Sequence, residues 1–124
     1  MTDLRVHVGD LTLEAQWTDD SPDTRAAVAD ALPLEGDAAR WGEELYFSTP
    51  VEADPENARA EVAPGTIAYW PQGAALCLFW GPTPASRGEE PRAASPVNVL
   101  ARIRDHSALS AVDGGARVRV EAVE

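Results

Sequence analysis

Lysine is absent from this 124-residue sequence: all ten basic residues are arginine, set against 21 aspartates and glutamates. The net charge of -11 and the pI near 4.4 leave no basic patch of the kind that nucleic acid or an anionic membrane requires. The two local arginine pairs, Arg102 with Arg104 and Arg117 with Arg119, alternate along strand-like segments and read as solvated strand faces. A single cysteine, Cys77, has no partner for an internal disulfide, and the two histidines, His7 and His106, stand too far apart for a local zinc motif. No apolar run, Ala74 to Trp80 included, approaches the roughly 20 residues that cross a bilayer. The opening MTDLRVHVGD carries no basic-then-apolar leader, so the expected location is the cytoplasm. Nucleophile elbow, phosphate loop, dinucleotide fingerprint and triad spacing are all missing, and no cofactor or metal is expected.

What is present is one domain's worth of chain, residues 1–124, with enough apolar material for one core. Twenty-two alanines, no lysine and a two-to-one acidic excess together resemble the composition of a salt-loading halophile. A GC-rich genome accounts for alanine and arginine over lysine but not for the carboxylates.

Leu4 to Val8 and Leu11 to Trp17 alternate apolar with polar, and the parity changes across Gly9-Asp10, which predicts a hairpin with Leu11, Leu13, Ala15 and Trp17 inward. Ser21-Pro22-Asp23 predicts a helix N-cap and first turn, with Thr24, Ala27, Val28 and Ala31 at helical spacing and a stop before Pro33. Further strands are expected at Glu44 to Ser48, Thr66 to Trp70, Ala74 to Trp80, Val97 to Arg104 and Ala116 to Val123, with a short helix at Ser107 to Val112. Ala74 to Trp80 is apolar on both faces and so reads as a central strand covered on both sides. Glu52 to Ala60 and Gly81 to Pro96 read as surface loops. Seven or eight short strands with one or two helices predict a mainly β protein, a closed eight-stranded barrel with capping helices.

Several of these segments resemble a known family. Gly9 to Glu14 followed by Ser21-Pro22-Asp23-Thr24 is similar to the opening of a cyclophilin, and Val97 to Ile103 with Ala108 to Val112 is similar to the strand and helix near that family's end. The stretches Trp41 to Phe47, Pro64 to Pro71, Cys77 to Pro84 and Ser95 to Val99 resemble the small cyclophilin-like proteins of bacteria and archaea. The resemblance spans nearly the whole chain and implies the barrel fold, with a groove on one side, but no particular activity. The strand that carries the isomerase arginine in true cyclophilins corresponds to Glu44-Leu45-Tyr46-Phe47-Ser48, which has none; Arg40 lies just upstream.

Seven of the eight aromatics fall in three of these motifs. They point to a non-catalytic barrel that binds a small molecule or peptide in an aromatic-lined groove, with Trp41, Glu43, Tyr46, Tyr69, Trp70 and Phe79 as its residues. Glu43 and Glu44 are adjacent, so on a strand they face opposite sides and one at most enters the groove. Cys77 reads as a buried, inert thiol. The rigid Gly81-Pro82-Thr83-Pro84 start of the long loop is expected to wall the cleft. The other readings are a weak or altered prolyl isomerase, an accessory subunit of an amide-hydrolysing system, which is fold-level analogy alone, and a purely structural module. A homodimer is compatible with all of them.

Overall fold

A computed structural model describes residues 2–123. Strands β1 (Leu4–Val8) and β2 (Leu11–Trp17) pair antiparallel around the two-residue turn Gly9-Asp10, where Gly9 adopts the φ of +57° that a tight hairpin needs. Leu13 and Ala15 are buried and Thr12, Glu14 and Gln16 exposed, as the alternation requires.

Helix α1 (Pro22–Ala31) starts on proline and buries Thr24 and Val28. Ser21 sits at the cap, yet its hydroxyl donates to the Glu56 carbonyl instead of capping the helix. The orphan N–H groups of Asp23 and Thr24 donate to the Glu56 carboxylate at 3.0 and 2.8 Å, joined by the Thr24 hydroxyl at 2.7 Å. These bonds hold the Glu56 carboxyl below its ordinary range, the Asp23 N–H contributing most. The acidic segment that reads as a bare loop thus supplies the helix cap from a distance.

The fold is mainly β, with one α-helix and a 3-10 turn at Ser107–Ala111 among the described residues. Sheet order runs β3 (Leu34–Asp37), β10 (Arg117–Ala122), β1, β2, β9 (Arg92–Ile103), β7 (Thr66–Trp70), β8 (Ala75–Phe79), β5 (Glu44–Ser48), β4 (Ala39–Arg40); β6 (Arg59–Glu61) pairs β9 off this path. Two expectations are corrected here. Among the described residues the strands number ten rather than eight, and the sheet is not closed by hydrogen bonds. The two edge strands β3 and β4 are consecutive in the chain, separated only by Ala38, whose N–H donates to Ala116 O at 2.9 Å and whose carbonyl accepts the Gly115 N–H at 2.7 Å. One extended stretch therefore changes partner from β10 to β5 at Ala38 and has no ladder to make with itself.

The last five residues of the stretch expected as a long loop are also strand, since β9 begins at Arg92, and β6 emerges from the end of the acidic loop. Nor are Arg117 and Arg119 simply solvated: they bind Glu35, Asp37 and Glu121 across β3 and β10, and Glu121 also takes His7 Nε2 at 2.8 Å.

Leu45, Phe47, Ile67, Tyr69, Leu76, Leu78 and Leu100 join β1, β2, β10 and Val28 of α1 in the main core. A smaller apolar cluster, Val62, Ala68, Cys77, Phe79, Ala93, Val97 and Val99, lies on the other side of β7 and β8. All five residues of β8 are buried, because Ala93, Val97 and Val99 of β9 and Val62 just after β6, not the helix, cover its second face. No helix among the described residues is long and apolar enough to cross a membrane.

Asn98, 0% exposed, ties β9 to both the helix and the acidic loop. Its amide donates to Thr24 Oγ1 at 3.0 Å and Asp54 O at 2.9 Å, and its Oδ1 accepts the Glu56 N–H at 2.8 Å. Asn98→Ala should therefore cost about 2 kcal/mol, because three hydrogen bonds that tie β9 to the helix and the acidic loop are lost together. Urea unfolding checks this, and a loss below about 0.5 kcal/mol would show that water replaces the amide.

Candidate functional site

A pocket of about 120 Å³ opens on the side of the sheet away from the main core, lined by Trp41, Glu44, Tyr46, Trp70, Cys77, Ala93, Ala94 and Val97. Strand periodicity decides which residues reach it. Glu44 and Tyr46 share one face of β5, and Tyr46 stands opposite Cys77 of β8, which in turn stands opposite Ala68 of β7. Trp70 ends β7, where its indole N–H donates to Ser95 Oγ at 2.5 Å and its ring lies over the Pro71-Gln72-Gly73 turn. A Cβ at Gly73 would fall 2.4 Å from that ring, so only glycine lets the tryptophan lie there. Trp41 precedes β5, its N–H bonded to Glu44 O at 2.9 Å.

Three sequence-predicted residues, Trp41, Tyr46 and Trp70, thus meet in one cavity. Glu43, Tyr69 and Phe79 do not line it. Tyr69 points into the main core, where its hydroxyl donates to Val51 O at 2.7 Å and accepts the Ala53 N–H at 3.2 Å. Phe79 is fully buried in the smaller cluster. Glu43 turns to the opposite side and takes the Trp80 indole N–H and Arg40 Nη2, the latter at 3.2 Å.

The carboxylate that enters the pocket is its neighbour Glu44, which is 5% exposed and is the one buried carboxylate among the described residues. Choosing between adjacent glutamates from sequence required the parity of β5, and the apolar positions Leu45 and Phe47 carried it: they face the main core, so Glu44 and Tyr46 face away. Burial pushes the Glu44 carboxyl up to about 7, with a hydrogen bond from the Cys77 thiol opposing the shift. The Cys77 thiol is itself raised, first by burial and then by the nearby Glu44 charge, which keeps it a poor nucleophile at neutral pH.

The expected wall from Gly81 to Pro84 is also corrected, because Ala93, Ala94 and Val97 of β9 form that side. The 81–84 segment acts one layer back. Gly42, at φ +63°, lies so close to it that a Cβ would come within 2.8 Å of Thr83 Cα, and Glu43 N–H donates to Pro82 O at 2.9 Å. These contacts fix the turn that carries Trp41 and Glu44.

Arg40 is fully engaged outside the pocket. Its guanidinium donates to Gly42 O, Ser110 O and Val112 O at 2.8, 3.1 and 2.7 Å, pairs with Glu43, and stacks 5.4 Å from the Trp80 ring centroid. These bonds pin it between the Trp41 turn and the 3-10 helix.

The cyclophilin-like family model matches residues 2–121, almost the whole described chain. The chain belongs to the cyclophilin-like family. This cyclophilin-like protein is also similar to the solution structure of a hypothetical protein from Archaeoglobus fulgidus, with a TM-score of 0.80 and 38% identity over 98% of this chain and 95% of that one. No curated protein matches the cyclophilin-like chain.

Proposed function

We propose that this cyclophilin-like protein is a non-catalytic, single-domain binding module that takes a small molecule, or one side chain of a peptide, in the pocket between Trp41, Tyr46 and Trp70. The observation that carries this reading is the convergence of three aromatics from two separate motifs with an otherwise isolated buried carboxylate. Structural packing alone explains buried aromatics, but not aromatics left half-buried around a cavity. The pocket is small. Apolar cavities of about 150 Å³ hold benzene, so a group of roughly that bulk fills this one.

A panel of small neutral, cationic and anionic fragments, followed by the indole N–H signals of Trp41 and Trp70 in NMR spectra, tests it. At least one fragment class should shift both signals and lose its effect in Trp70→Ala; silence across the panel would defeat the proposal and leave a structural module.

Isomerase activity is the reading this disfavours. Lowering a barrier of about 18–20 kcal/mol needs a donor aimed at the twisted prolyl amide; the pocket lining holds no arginine, and Arg40 is bound elsewhere. In a protease-coupled assay on a proline tetrapeptide, run at 1 M KCl, only the thermal rate should appear. Acceleration that disappears in Arg40→Ala would show instead that this arginine leaves its bonds to catalyse.

A further inference from the structure

Glu44 differs from the other sheltered carboxylates in having no cationic or N–H partner. Glu56 accepts two N–H groups and a hydroxyl, Glu90 accepts the N–H groups of Arg87 and Gly88 and the guanidinium of Arg92, and Glu35 binds two arginines. Among the described residues no nitrogen or oxygen donor reaches the Glu44 carboxylate, although it is the most buried of them. Each of the other three carboxylates has charged or N–H partners, and the buried one is left open toward a cavity.

The lining also selects by charge. It combines one carboxylate and three aromatic rings with no arginine or histidine, and the Trp70 indole N–H is already committed to Ser95. An anion would meet a carboxylate and no basic group, and a neutral apolar ligand would gain nothing from the carboxylate. A positively charged group gains from both components, because aromatic rings attract cations and a water-poor site strengthens the attraction to Glu44. The net charge of -11 adds a field that concentrates cations at the surface.

We infer that the pocket is a cation cage in which Glu44, with Trp41, Tyr46 and Trp70, holds a small organic ammonium group, primary or methylated. This rests on the proposed binding function and names its ligand class. The cavity admits one such group and no large substituent. Glu44 is the counter-ion and the rings supply the rest of the enclosure. The titratable groups facing Glu44 are Cys77 from β8 and Tyr46 from its own strand; β7 contributes Trp70, β9 contributes Ala93, Ala94 and Val97, and the turn before β5 contributes Trp41, all uncharged. Binding of a cation to the ionised carboxylate should accordingly strengthen as pH rises through about 7, where Glu44 loses its proton.

The probes are tetramethylammonium chloride and its neutral counterpart tert-butanol, titrated into the intact chain at constant 0.3 M KCl and followed at the Trp41 and Trp70 indole N–H signals. Tetramethylammonium should bind about tenfold more tightly than tert-butanol at pH 8. Its affinity should rise about tenfold between pH 6 and pH 8, as the ionised fraction of Glu44 does. Glu44→Gln, which preserves shape, should remove both the preference and the pH dependence while leaving tert-butanol binding in place. Equal affinity for the two probes, or cation binding indifferent to Glu44→Gln, would overturn the cage while the pocket remained a binding site. If neither probe nor any member of the fragment panel moves the two indoles, the cage and the binding function fall together.

Discussion

Glu44→Gln should gain about 3 kcal/mol of stability relative to the native sequence between pH 4.5 and pH 8. The folded state holds the Glu44 proton up to about pH 7, whereas the unfolded chain releases it near 4.5. A carboxyl raised on folding leaves stability intact below the unfolded value. Stability is then lost as pH climbs from 4.5 to 7, because ionisation increasingly favours the unfolded chain. The loss is complete above the folded value. A shift of about 2.5 pH units corresponds to roughly 3 kcal/mol at 1.36 kcal/mol per unit. Glutamine has no proton to lose, so this slope is absent from the variant. Urea titrations of both proteins at pH 5, 6, 7 and 8 in 1 M KCl measure the difference, which cancels the titration of exposed carboxylates common to both. A gap constant with pH would mean that Glu44 stays ionised throughout, with water or a bound cation replacing the lost solvation.

The melting temperature should rise by about 15 °C, or roughly 3 kcal/mol for a domain of this size, between 10 mM and 1 M KCl. Seven of the ten arginines pair with carboxylates, and these pairs weaken with salt. They are mostly exposed, however, and such pairs are worth about 0–1 kcal/mol each. The uncompensated charge of -11 acts over the whole surface. Its range contracts from about 30 Å at 0.01 M to about 3 Å at 1 M, so relief of repulsion outweighs loss of pairs. The rise should fall mainly below 0.5 M, where screening changes most. A melting temperature unchanged by KCl would leave genomic base composition as the explanation for the missing lysines.

Much of the architecture was legible because local chemistry dictates it. Alternation and Gly9-Asp10 specify the first hairpin, Pro22 and Pro33 bracket the helix, and the two-sided apolar run Ala75–Phe79 can only be a covered strand. The elements that escaped notice, β3, β4 and β6, are two to four residues long and, apart from Leu34, built from alanine, glycine and charged residues with little strand preference. They exist because neighbouring strands offer backbone partners, and no local pattern encodes a partner.

The same division runs through the site. Sequence by itself determined the family, the aromatic supply of three motifs, the alternation that sends Glu43 and Glu44 to opposite faces, and an acidic charge with no basic patch. Only the tertiary structure decided which aromatics surround a cavity and which fill a core, since Tyr69 and Trp70 are neighbours on one strand yet the first faces the main core and the second the pocket. It also assigned the acidic loop to the helix cap and β9 to the pocket wall. Each of these is a contact between segments distant in the chain. A residue's type limits what it can do when buried, but which side of a sheet is covered, and by what, depends on how the remaining strands return across it.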